Sequence, residues 1–130
     1  MKTILEQFFN QQLNITFAFL FGSRAKETNK PESDWDFAIW FENKSDVMLR
    51  LLEKEELRQQ LANLLKVNPD NVDIVDLQTA SLSISSSIVE EGVVLKGKDL
   101  LALNLFYKRI WALEEDFYWR LEHETRALSS

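Results

Sequence analysis

The chain contains no cysteine, which removes disulfides, zinc–thiolate centres and thiol nucleophiles at once and is compatible with a reducing cytoplasm. It has one histidine, His123, so neither a His-rich metal site nor a triad with histidine as base can be built from it. Flanked by Glu122 and Glu124, that residue is expected to be solvated on a helix. Glycine is scarce as well: Gly22 is followed by no Gly-Lys-Ser/Thr, and Gly92 and Gly97 lie outside any phosphate motif, so a P-loop is excluded. No apolar run approaches the roughly 18 residues needed to span a bilayer. The N-terminal stretch Met1-Lys2-Thr3-Ile4-Leu5-Glu6-Gln7 lacks a signal-peptide layout. These absences lead us to expect a soluble cytoplasmic protein. The net charge is −6, and its bases are scattered among acids, as in Arg50-Leu51-Leu52-Glu53-Lys54-Glu55-Glu56. Binding to a phosphate backbone needs clustered Lys and Arg, so nucleic acid is not expected as a primary partner. A negative surface suits a basic protein partner better.

What the chain does have is a generous apolar supply: 45% hydrophobic residues, with nine Phe and four Trp among 130. That is enough to fill the core of one domain spanning residues 1–130. Ile4, Leu5, Phe8, Phe9 and Leu13 recur at helical spacing and predict an amphipathic helix over residues 2–13. Ile15 to Phe21 is rich in β-branched and aromatic residues and predicts a buried strand. Gly22-Ser23 breaks it, and a short helical turn is expected over residues 24–28. Asp34 to Phe41 predicts a second strand, with Asp34, Asp36, Ala38 and Trp40 on one face and Trp35, Phe37, Ile39 and Phe41 on the other. Asp46 is placed as the N-cap of a leucine-rich helix reaching about Lys66, and Val72 to Leu77 as a third strand. Residues 79–91 are serine-rich yet carry Leu82, Ile84, Ile88 and Val89 on one face, which favours a helix. A short strand over Val93 to Lys96 follows, then a long helix capped by Asp99 and reaching about Arg126. That last helix is apolar on more than one face, which suggests packing on two sides. The whole predicts a small α/β (α+β) domain, a mixed sheet flanked by helices.

The strongest pattern is Phe21-Gly22-Ser23-Arg24 … Ser33-Asp34-Trp35-Asp36. Two aspartates one residue apart on a strand project to the same side. A string of this kind arises by chance in roughly one of several hundred chains of this length. Its position between two strand-like runs sharpens it further. Gly22 has no Cβ and can bring its backbone against a phosphate, while Ser23 offers a hydroxyl and an N–H to the same oxygens. Arg24 either completes that cradle or pairs with Glu27 or an aspartate. Lys26 is a further phosphate contact or ordinary solvated surface. Asp34 and Asp36 are suited to hold two Mg²⁺ ions, one neutralising a departing pyrophosphate and one activating an attacking hydroxyl. A third carboxylate is wanted, and Asp73 and Asp76 are the candidates. An odd separation puts them on opposite faces. Asp73, inside the apolar segment where an unpaired carboxylate is costly, is preferred to Asp76 near the strand end.

With Gly22-Ser23-Arg24-Ala25, Ser33-Asp34-Trp35-Asp36-Phe37-Ala38 and Val72-Asp73-Ile74-Val75-Asp76-Leu77, the chain resembles the minimal nucleotidyltransferases of the polymerase-β superfamily, among them the MntA-type antitoxins paired with HEPN-domain toxins. The resemblance covers most of the chain, and the Gly-Ser and aspartate signature is its specific part. It implies a small sheet flanked by helices, ATP and Mg²⁺ as co-substrate and cofactor, and transfer of AMP to a tyrosine of a cognate HEPN ribonuclease. Gly22 and Ser23 would contact the triphosphate, and Asp34, Asp36 and Asp73 would hold the metals. Larger members carry a second domain for the acceptor, and here the acceptor is expected to come largely from another protein or a second protomer. The aromatic helix with Phe106, Tyr107, Trp111, Phe117, Tyr118 and Trp119 is the candidate docking surface. Two other expectations compete: a non-catalytic nucleotide-binding antitoxin that neutralises by contact, and a small-molecule nucleotidyltransferase of the aminoglycoside type.

Overall fold

The structure, a computed structural model, describes residues 1–42 and 46–129. Among these, helices α1 (Lys2–Asn10), α2 (Val47–Leu65), α3 (Leu82–Glu91) and α4 (Leu101–Ser129) alternate with strands β1 (Ile15–Phe21), β2 (Trp35–Phe41), β3 (Val72–Asp76) and β4 (Val93–Lys96). The strands form one sheet in the order β3-β2-β1-β4. β1 runs antiparallel to β2 and β4, and β2 runs parallel to β3. A parallel pair cannot be joined by a tight turn, so α2 serves as the crossover between β2 and β3.

Both faces of the sheet are covered, which is why its strands read as nearly continuous apolar runs. On one face Leu5 and Phe9 of α1 and Leu57 and Leu61 of α2 pack with Ile15, Leu20, Trp35, Phe37, Ile39 and Phe41. On the other face Ile88 of α3 and Leu103, Phe106 and Ile110 of α4 pack with Phe17, Phe19 and Ala38. The two faces expected for β2 are the two observed, with Trp40 lying against the second cluster. Asp46 caps α2 as expected, its Oδ1 accepting the Leu49 N–H at 3.1 Å. The serine-rich segment is helical because Ser81 caps it, its Oγ accepting the Ile84 N–H at 3.2 Å.

Several boundaries differ from the sequence-based expectation. α1 ends at Asn10, and Leu13, which continues the helical spacing, is 89% exposed. The 3₁₀ turn falls on Gly22–Arg24 itself rather than on residues 24–28. α4 starts at Leu101; the Leu100 carbonyl accepts the Asn104 N–H at 3.3 Å, so Leu100 and not Asp99 stands at the cap. β3 stops at Asp76, and beyond it the Gln78 side chain continues the ladder, its Nε2 donating to Phe41 O at 2.8 Å and its Oε1 accepting the Phe41 N–H at 3.4 Å. Among the described residues no helix is long and apolar enough to cross a membrane.

Candidate active site

At the end of β1 the chain turns at Gly22 with φ +75°, a conformation costly for any residue bearing a Cβ. Space is equally restrictive: a Cβ on Gly22 would lie 2.5 Å from Asp36 Oδ2. The β1–β2 register sets Phe21 opposite Asp36, so the carboxylate rests directly against the glycine backbone. Across the parallel β2–β3 pair, Asp36 is in register with Asp73, and both project to the α3/α4 side. Asp34 stands just before β2, exposed, as is Asp73, whereas Asp36 is half-buried.

The charges interact. Burial first, then the negative charges of Asp73 and Asp34, raise the Asp36 carboxyl above the ordinary carboxylate range. A cluster of carboxylates whose mutual repulsion is felt in this way favours a cation between them, and an all-oxygen donor set suits a hard ion such as Mg²⁺. Among the described residues, no group of three carboxylates or imidazoles is arranged to hold a metal ion by itself. Mg²⁺ takes few protein ligands and completes its shell with water and phosphate oxygens. Ser23 occupies the turn beside Gly22; its carbonyl accepts the Thr28 N–H at 3.0 Å, and among the described residues no hydrogen bond engages its hydroxyl.

Arg24 does not face this cluster. Its Nη2 donates to Ser33 O at 2.9 Å and Pro31 O at 3.4 Å, and its guanidinium lies 4.2 Å from the centroid of Trp35, a residue of the opposite layer. Neither pairing foreseen for it, with Glu27 or with an aspartate, is the one observed. Lys26 pairs with Glu91 at 2.7 Å, both side chains about half exposed. The burial argument used on the sequence for Asp73 over Asp76 does not hold. Asp73 is the exposed one, so cost of burial does not decide; the face does. Asp76 points into the α1/α2 layer, where its Oδ2 accepts Arg50 Nε at 2.9 Å and both side chains are largely buried, and its Oδ1 accepts the Gln78 N–H at 3.0 Å. Arg50 and Gln78 were not singled out from the sequence. The one available signal was a lone cation in the apolar stretch Met48-Leu49-Arg50-Leu51-Leu52. His123 stacks on Trp119 at 3.7 Å on exposed helix, remote in role from the carboxylates.

Two concavities lie elsewhere. One of about 350 Å³ is bordered by Leu5, Leu20, Arg24 and Trp35. The other, about 370 Å³, lies between α3 and α4 against Ser83, Ser86, Glu114, Phe117 and Tyr118. The carboxylates line neither and lie at the ends of three strands, Asp34 and Asp73 exposed.

A Gly-Ser turn with Asp36 against it, Asp34 two residues before and Asp73 in register beyond, is the arrangement the sequence led us to expect of a nucleotidyltransferase. Residues 3–100 match the family described as Polymerase beta, Nucleotidyltransferase, and the chain belongs to that family. Over 79 residues it is 35% identical to the protein adenylyltransferase MntA of Aphanizomenon flos-aquae (strain 2012/KM1/D3), a match covering 58% of this chain and 53% of that protein. The chain thus spans about half the length of the curated relative it matches. Its fold is similar to that of a crystallised toxin–antitoxin with AMP-PNP (TM-score 0.73, 22% identity, 99% of this chain and 98% of that one). It is also similar to a chain in the complex of a tri-AMPylated Shewanella oneidensis HEPN toxin with MNT antitoxin (TM-score 0.67, 22% identity, 100% of both). At these identities the two structures establish the fold.

Proposed function

We propose that this chain is a protein adenylyltransferase antitoxin that moves AMP from ATP to a tyrosine of a cognate HEPN ribonuclease toxin. The observation that carries the proposal is Asp36 resting against the Gly22 backbone, in register with Asp73 and within electrostatic reach of both Asp73 and Asp34. Pure nucleotide binding gains nothing from three carboxylates that repel one another, whereas transfer does. The family membership, the 35% identical adenylyltransferase and the AMPylated toxin of the Shewanella complex point the same way.

Gly22 and Ser23 bind the triphosphate, the glycine by close backbone approach and the serine through its hydroxyl and N–H. Asp34, Asp36 and Asp73 would hold Mg²⁺, which when bound neutralises the phosphates and acidifies the acceptor hydroxyl. Asp73, exposed on β3, takes the phenolic proton as the tyrosine oxygen bonds to the α-phosphorus. The bond from that phosphorus to the β-phosphate bridge breaks, and pyrophosphate leaves. Exposed Asp34 and Asp73 leave the site open to a side chain of another protein. The toxin docks along the outer half of α4, where Trp111, Phe117, Tyr118, Trp119 and Leu121 are at least half exposed among Glu114, Glu115, Asp116, Glu122 and Glu124. An apolar ridge with an acidic border fits a partner whose groove is apolar and rimmed by Lys and Arg. We place the pair in the cytoplasm.

The test is incubation of the purified chain with labelled ATP, Mg²⁺ and the product of the neighbouring gene. Label should appear on that product and vanish with Asp36→Asn. A tight complex without label would overturn catalysis in favour of neutralisation by contact.

A further inference from the structure

We propose that Arg24 is a positioning residue that ties the nucleotide turn to the loop presenting Asp34 and Asp36, and that it is not a phosphate ligand. The proposal rests on the nucleotidyltransferase reading of this site. Arg24 closes the 3₁₀ turn immediately after Ser23, and the Gly22 carbonyl accepts the N–H groups of Ala25 and Lys26 at 3.2 and 3.3 Å. The turn carries the Arg24 side chain beneath the strand ends instead of over the carboxylates. There the guanidinium meets two carbonyls, Ser33 O at 2.9 Å and Pro31 O at 3.4 Å, and lies against the face of Trp35, 4.2 Å from its centroid. The ring face and the two carbonyls set the orientation of the group.

The residues held in this way are those that aim the metal-binding side chains. Ser33 is already fixed in a closed turn: its N–H donates to Lys30 O at 2.9 Å, and its Oγ accepts the Lys30 N–H at 2.8 Å. The Ser33 carbonyl shares one rigid peptide plane with the Asp34 nitrogen, so a bond to that oxygen orients the start of Asp34. Trp35, only 8% exposed, anchors the next position in the core, and Asp36 follows on the opposite face. Arg24 and Trp35 thus clamp the segment from one side while Asp34 and Asp36 emerge on the other. A planar fork that stacks and bonds carbonyls together is a task lysine cannot perform, although lysine would serve well enough as a charge for phosphate.

Arg24→Lys and Arg24→Ala distinguish the two roles. For positioning, both variants weaken Mg²⁺ binding, measured calorimetrically on the purified chain, by roughly 10- to 100-fold, as for other residues that orient metal ligands. The KM for ATP at saturating Mg²⁺ stays near wild type, and excess Mg²⁺ restores much of the transfer rate. Amide hydrogen exchange over residues 33–36 becomes faster. A phosphate ligand would instead give a raised KM for ATP that Mg²⁺ does not relieve, near-normal behaviour of Arg24→Lys, and unchanged exchange over 33–36; that set of results would overturn the proposal. Absence of transfer in the wild-type chain would sink the nucleotidyltransferase reading, while the exchange measurement would still decide whether Arg24 holds the loop.

Discussion

At β3, two carboxylates three positions apart meet different surroundings. Asp76 is held by Arg50 in the α1/α2 layer, and Asp73 stands exposed beside Asp36 on the other side of the sheet. Asp76→Asn should therefore lower stability by on the order of 3 kcal/mol, because it takes the charge from a largely buried ion pair, yet leave transfer intact at temperatures where the variant is folded. Asp73→Asn should do the reverse: no fall in melting temperature, and at least a hundredfold loss of transfer, the usual order for a missing catalytic proton acceptor. Thermal melts and label-transfer rates on both variants check this, and the opposite ranking in activity would make Asp76 the third carboxylate. Gly22→Ala is expected to cost roughly 1–2 kcal/mol for its left-handed backbone. It should also abolish transfer, since the new methyl would displace the Asp36 carboxylate; normal activity would show that the turn can move away without consequence. The Gly22, Asp34 and Asp36 juxtaposition was visible in the sequence because strand alternation and one tight turn are local rules. The engagement of Arg24 was not, because its partners are two backbone carbonyls and a ring whose placement depends on the layer below.

Among the elements, α4 is divided. Its inner part carries Leu103, Phe106 and Ile110, all nearly buried, with Phe106 within 5.4 Å of Phe17 and 5.9 Å of Trp40, centroid to centroid. Its outer part leaves Phe117, Tyr118 and Trp119 more than half exposed. The sequence offered one aromatic helix and two uses for it, internal packing and docking; the structure buries the inner stretch and leaves the outer one exposed. Phe106→Ala is expected to cost about 3–5 kcal/mol of stability. Trp119→Ser should change stability by no more than about 0.5 kcal/mol and weaken toxin binding by about 2 kcal/mol or more if the ridge is the docking surface. Denaturant melts and titration calorimetry with the toxin measure the two separately; equal losses of stability would mean the outer half is packed after all. The periodicity of α4 could not locate the division, because a helix that is apolar all round presents the same pattern whether its neighbour is its own sheet or another protein.

For the molecule as a whole, the site is a local excess of negative charge on a chain that is already acidic. Because Asp36 has a raised pKa in the folded state, the folded chain keeps a proton that the unfolded chain has released once pH exceeds the ordinary carboxylate value. Stability from this group is then lost as pH rises from that value through the raised one. In chelator at neutral pH, Asp36→Asn is therefore expected to melt at a higher temperature than the wild type while being inactive. Mg²⁺ should raise the melting temperature of the wild type and leave that of the variant nearly unchanged. A variant that melts lower, or that gains equally from Mg²⁺, would remove Asp36 from the metal site.

The sequence by itself determined the elements and their order, since β1, β4 and the two faces of β2 follow from runs and alternation of period two. It also brought Gly22, Ser23, Asp34 and Asp36 to one end of two strands, because only a turn and a short loop separate them. Other matters were decided only by the tertiary structure. The pairing of Arg50 with Asp76 spans 26 residues and that of Gln78 with Phe41 spans 37. The side of the sheet on which each β3 carboxylate lies needs the parallel register with β2. The extent of α4 left uncovered depends on where the sheet beneath it ends. Local rules of spacing carry no information on which distant group arrives to neutralise a charge, and that arrival separates an acid kept for folding from one left for chemistry.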